Sequence, residues 1–209
     1  MKFRILGAAL ALCVVGAAHA QASLPRPAEF YFDADANTVR LVVAVREANA
    51  DAAIARLDKA IQRNPRAVAE RAQLARIAMD GGREALGREL YAAALAQIAT
   101  THGLWRSIMW NYGWDLYRAG AYDDALAQWQ ALIGARGTTA SWIPPTLAIV
   151  LWQLGRRDEA VQWYAAAVRT EPAQWSTTAQ YATLLPAWRD AERETLAQVH
   201  EAWARSATR

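Results

Sequence analysis

Tyr112-Gly113-x2-Leu116 followed by Gly120-x4-Ala125-x3-Trp129-x2-Leu132 returns 35 residues later as Leu147-Ala148-x2-Leu151 followed by Gly155-x4-Ala160-x3-Tyr164-x2-Ala167, closed by Pro172. Upstream by 38 residues lies a third copy, Leu74-Ala75-x2-Ala78 and Gly82-x4-Gly87-x3-Tyr91-x2-Ala94. A further step of 34 reaches Ala53, Leu57, Ala60 and Pro65. Self-similarity at this period outranks any local reading, because each copy is one supersecondary unit stacked on its neighbours.

Within a copy the apolar residues fall three and four apart, as in Leu147, Leu151, Leu154 and again Val161, Tyr164, Val168. That spacing is helical. Gly120 and Gly155 stand where a left-handed residue lets one helix end and turn into the next, and Ala125 and Ala160 permit close antiparallel approach. Asn64-Pro65 and Glu171-Pro172 stop the second helix of a pair, since the residue before proline is pushed out of helical geometry. Alanine richness lowers the cost of so much helix. The expectation is an all-α chain of helix pairs.

These residues resemble the tetratricopeptide-repeat family, a helix-turn-helix unit with a Leu-Gly-x2-Tyr core, a small residue before an aromatic, and a late proline. The resemblance implies a right-handed superhelical solenoid of antiparallel pairs. It covers residues 34–172 as about four units, with Ser141 to Pro172 the closest match. Tyr112 replaces the usual Leu, Arg40-Leu41 is a poor version of the signature pair, and Gly87 is smaller than the usual Ala. The surplus residues fall in loops, at Thr100 to Gly103 and Gly134 to Gly137. In residues 173–209, Ser176 to Leu185 and Arg189 to Ser206 are expected to form a charged pair of capping helices. Residues 21–33 are extended by their prolines and are expected to lay Phe30 and Phe32 on the first unit.

Lys2 and Arg4, the apolar run Ile5 to Ala18, and Ala18-His19-Ala20 read as a signal peptide over residues 1–20, cleaved before Gln21. The run is shorter than the about 20 apolar residues a membrane span needs. Leu12 before Cys13 is unlike a lipoprotein signal. The expectation is a periplasmic or secreted protein with no membrane span after cleavage. Loss of Lys2 and Arg4 leaves 21 basic against 20 acidic side chains. That balance offers no electrostatic basis for binding nucleic acid or an anionic membrane. Cys13 is the sole cysteine, so the mature chain carries no disulfide and no thiolate ligand.

Catalytic patterns are missing. His102 and His200 are far apart without metal-ligand spacing, and no serine sits in a nucleophile elbow. Asp123-Asp124 and Asp158-Glu159 are paired acids of the kind that serve glycoside hydrolysis. Both pairs occupy the same repeat position, the first turn of a second helix, where acids favour the helix dipole. The sequence therefore predicts no enzyme, no metal and no cofactor.

Trp is abundant, at ten residues. Trp129 and Tyr164 hold repeat core positions. Trp110, Trp114, Tyr117 and Arg118 lie mostly along one face of a first helix, and Trp142, Trp152 and Gln153 match that face in the next unit. In the resembling family this face lines the concave side where ligands dock. The expected site is Trp110, Trp114, Tyr117, Arg118, Trp142, Trp152 and Gln153. The competing reading is that these rings fill core or lie under the C-terminal helices. The functional expectation is a periplasmic adaptor holding another envelope protein or a peptide segment of it. The alternatives are a glycan- or peptidoglycan-binding module that stacks Trp beside Arg118 and Gln153, and a self-associating scaffold or homo-oligomer.

Overall fold

The computed structural model describes residues 24–28, 30–135 and 139–207. The expected signal peptide at 1–20 lies outside them. The described chain is all-helical. Three antiparallel pairs pack partner against partner: α3 (Val68–Asp80) with α4 (Glu84–Leu95), α5 (Trp105–Arg118) with α6 (Tyr122–Gly134), and α7 (Ile143–Gln153) with α8 (Arg157–Thr170). Ahead of them α2 (Ala50–Arg63) packs on α3, and at the far end α11 (Asp190–Ala207) packs on α7 and α8. Among the described residues no helix is long and apolar enough to cross a membrane.

The pairs share one turn chemistry. Gly82, Gly120 and Gly155 take φ of 72°, 80° and 74°, and the next N–H reaches back five residues, Arg83 to Ala78, Ala121 to Leu116 and Arg156 to Leu151, at 2.8 to 2.9 Å. A left-handed glycine with this long back-bond closes each first helix and caps its carbonyls. The repeat also fixes the core. Leu57, Tyr91, Trp129 and Tyr164, spaced by the repeat step, are all fully buried.

One approach depends on a missing side chain. A Cβ on Gly113 would stand 2.7 Å from Trp129 Cε2, so the indole of α6 lies directly on the backbone of α5.

Three local expectations are corrected. The first unit has only one full helix, α2; before it α1 (Ala36–Val39) makes a single turn and residues 40–49 are non-helical. Val42, Val43 and Val45 are β-branched and resist helix, and their main chain finds side-chain partners instead. The expected helix from Ser176 to Leu185 is reduced to the single turn α10 (Tyr181–Leu184), preceded outside that span by another single turn, α9 (Pro172–Trp175). Between them the Thr177 hydroxyl accepts the Ala179 N–H at 3.1 Å, the local competition by which Ser and Thr unmake helices. Phe30 and Phe32 do not pack on the first unit: they are 58% and 61% exposed. The buried ring is Tyr31, 6.3 Å from Trp163 of α8, in the last pair.

A candidate binding cavity under an N-terminal strap

Residues 31–45 form a strap that runs across the first helices from the last pair back to the first. At one end the Asp33 carbonyl accepts the Ser141 N–H at 2.8 Å. Asp35, left-handed at φ 43°, pairs its carboxylate with the Arg106 guanidinium of α5 and accepts the Trp142 indole N–H at 3.1 Å. Arg106 Nε also donates to Thr38 Oγ1 at 2.7 Å.

Further along, side-chain amides take over. Asn111 of α5 accepts the Val42 N–H at 3.2 Å and donates to the Arg40 carbonyl at 2.9 Å. Gln73 of α3 accepts the Ala44 and Val45 N–H groups at 2.7 and 2.8 Å and donates to the Val45 carbonyl at 2.7 Å. A carboxamide offers donor and acceptor together, so it can satisfy both polarities of a passing main chain.

The strap closes one side of a cavity of about 720 Å³. Phe32, Val39 and Leu41 line it from the strap, and Trp110 and Trp114 of α5 and Trp142 at the N-cap of α7 line it from the helices. Trp175 of α9 and Trp188, between α10 and α11, complete the aromatic lining. The rings lock edge to face: Trp110 on Trp142 at 4.7 Å, Trp114 on Trp188 at 4.9 Å, and Trp110 on Trp114 at 5.7 Å between centroids. Such geometry follows the ring quadrupole and holds the wall rigid.

The expected stripe is thereby divided. Trp110, Trp114, Trp142 and Arg118 line the cavity. Arg118 also bonds Glu192 of α11 through Nε at 2.8 Å, with its guanidinium 5.2 Å from the Trp114 ring. Tyr117, Trp152 and Gln153 lie instead against α11. Trp152 donates to Gln198 at 2.9 Å and carries the Arg157 guanidinium 3.6 Å above its ring. Gln153 reaches Thr195 at 3.4 Å. Tyr117 is buried, and burial pushes its hydroxyl up to about 12.

Polar groups gather at the cavity edge. Asp115 is only 4% exposed and accepts the Tyr91 hydroxyl at 2.6 Å. Burial raises its carboxyl to about 6, against that hydrogen bond and the nearby Arg118 and Arg76, which favour the ionised form. Asp80 bridges Arg76 at 3.4 Å and Arg189 at 3.1 Å. Thr146 Oγ1 and Arg76 Nε are buried with no hydrogen-bond partner among the described residues.

The remaining chemical candidates have local partners. Asp124 pairs with Arg88 at 2.8 Å and Glu159 with Arg156 at 2.7 Å, each acid in the first turn of its helix. His102 accepts the Leu104 N–H at 3.1 Å, and His200 contacts the Ser176 carbonyl at 3.1 Å.

Sequence reasoning missed the strap, its two carboxamides, and Trp175 and Trp188. Gln73 and Asn111 were findable, because the 38-residue step between the first two clear copies relates them. Trp188 had no such signal, since it belongs to no repeat. No protein-family model, no curated protein and no solved structure matched this chain.

Proposed function

We propose that the chain is an exported, non-catalytic adaptor of tetratricopeptide type, a right-handed superhelix of helix pairs whose aromatic inner face holds a peptide segment of another envelope protein. The observation that carries this reading is the strap. Over residues 40–45 the inner face already accommodates a non-helical chain, gripping its backbone through Gln73 and Asn111. A partner's segment would use the same main-chain bonds, the mode by which extended peptides gain affinity from any sequence. The strap covers Trp110 and Trp142 and gives way when the partner binds. The signal-like N-terminus and the charge-balanced mature chain support an envelope location and a protein partner.

The test is affinity capture from the native envelope with the full chain and with Asp35→Ala/Thr38→Ala, which loses the strap's anchors on Arg106 and Trp142 and leaves Gln73 and Asn111 in place. Capture of a specific partner is expected to rise in the variant while helical circular dichroism holds. Unchanged or weaker capture would remove the strap as a competitor and with it this reading.

A further inference from the structure

We infer that the chain associates with a second copy of itself, pairing the free edge of its strap at Leu41 and Val43 antiparallel with the same edge of the copy. This goes beyond the adaptor reading and does not depend on it, since the strap stays seated on the helices.

Exposure points to the strap. Of the six large apolar side chains exposed among the described residues, five belong to one segment, Phe30, Phe32, Val39, Leu41 and Val43, and the sixth is Leu86. Single apolar side chains scattered over a surface are ordinary, whereas their concentration in one place marks a contact surface. Within the segment the exposure alternates: Leu41 is 61% and Val43 39% exposed, with Val42 between them at 5%. That is the pattern of an extended chain lying with one side against the protein.

Main-chain bonding then selects an edge. Arg40 is extended, at φ −71° and ψ 146°, and residues 41–43 are non-helical. Successive residues of an extended chain direct their N–H and C=O groups to opposite edges. The Arg40 carbonyl and the Val42 N–H go to Asn111, which occupies one edge. On the other, the main-chain groups of Leu41 and Val43 have no partner among the described residues. An open edge of this kind is a template for another strand, and an added strand gains its affinity from such main-chain groups.

The free groups are their own complement, which is why the occupant is a second copy. With a twofold axis at Val42, Leu41 of one copy stands opposite Val43 of the other, and each such pair exchanges two N–H···O=C bonds. Every free group is used, and the Leu41 and Val43 side chains meet as an apolar cross-strand pair. Neighbouring registers fail. An axis at Leu41 calls on the Val39 N–H, which already bonds the Asp35 carbonyl at 3.3 Å. An axis at Val43 calls on Val45, whose N–H and carbonyl are both on Gln73, and sets Arg40 opposite Arg46. Because Asn111 closes the far edge to a third strand, association ends at a dimer and does not run on into a fibre.

The test is sedimentation equilibrium and hydrogen exchange on the full chain under reducing conditions, from about 5 to about 200 µM. A monomer–dimer equilibrium is expected, with exchange at Leu41 and Val43 slowing as dimer forms while Val42 stays protected at every concentration. Leu41→Pro removes an N–H that bonds nothing in the monomer, and Arg40 already has the extended geometry that a residue before proline adopts. Its helical circular dichroism should hold, while dimerisation weakens about thirtyfold because two N–H donors leave the ladder, one from each copy. Leu41→Ala keeps the N–H and should weaken it less. A chain that stays monomeric up to about 200 µM, a dimer in which Leu41 and Val43 exchange as fast as in the monomer, or a folded Leu41→Pro that dimerises like the parent overturns the inference.

Discussion

Gln73 and Asn111 stand one repeat step apart on the first helices of consecutive pairs, and each turns its carboxamide onto the main chain of the same strap. The two grips are separable. Asn111→Ala frees the Val42 N–H and the Arg40 carbonyl, whereas Gln73→Ala frees the N–H groups of Ala44 and Val45. Losing a buried partner costs about 1 to 3 kcal/mol. Hydrogen exchange should therefore accelerate at Val42 in the first variant and at Ala44 and Val45 in the second, with α3 and α5 still protected. Uniform acceleration along the whole strap in both variants would mean that it releases as one unit; no acceleration would show that the amides do not hold it.

Glycine at two core contacts predicts unequal costs. A Cβ on Gly113 meets Trp129, a ring fully buried and packed against Trp110 and Trp114. A Cβ on Gly87 meets the thioether of Met79 at 2.5 Å. Met has rotatable bonds to spare and fills space adaptably; a boxed-in indole does not. Gly113→Ala should destabilise by about 1 to 3 kcal/mol as overpacking, and Gly87→Ala by clearly less. Equal losses in chemical denaturation would contradict the difference in compliance.

Asp115 makes stability depend on pH. Its carboxyl is raised by burial from 3.8 to about 6, so the folded state binds a proton that the unfolded chain has released. Its contribution is fully present below about pH 4 and is lost as pH rises through about 6. Asp115→Asn keeps an acceptor for Tyr91 but removes the charge. The variant should be more stable than the parent at pH 7.5, by up to about 3 kcal/mol at 1.36 kcal/mol per pH unit, with the advantage fading towards pH 4. A pH-independent difference between the two would show that the carboxylate is not taken out of water as the burial indicates.

The helix pairs were legible because one physical device, a glycine turn with small residues opposite an aromatic, recurs at a fixed step. Gly120, Ala125 and Trp129 can be compared with Gly155, Ala160 and Tyr164 without any structure. The strap was not legible. Val42 to Val45 carry no turn signal and no period, and what settles their conformation is Gln73 and Asn111, residues 28 to 69 positions away. The site was half legible for the same reason. Helical spacing places Trp110, Trp114 and Tyr117 on one face of α5 but says nothing of what crosses that face; Trp188 and α11 arrive from outside the repeat and cover its C-terminal end.

That cover has its own test at Glu192. Its carboxylate accepts from Arg118 at 2.8 Å and from the Arg189 main-chain N–H at 2.7 Å. Arg189 immediately precedes α11, so the second bond is the reach-back half of a capping box. One side chain thus closes the start of the helix and pairs a cavity arginine. Glu192→Gln keeps an oxygen for the Arg189 N–H and loses the charge; Glu192→Ala loses both. Breaking a buried pair by removing one partner costs about 3 to 5 kcal/mol, and a lost cap about 1 kcal/mol. The expected order of stability is parent, then Gln, then Ala, with faster exchange in the first turn of α11 appearing only in Ala. If Gln and Ala fall together and exchange alike, α11 is held down by its charge pair and not by its cap.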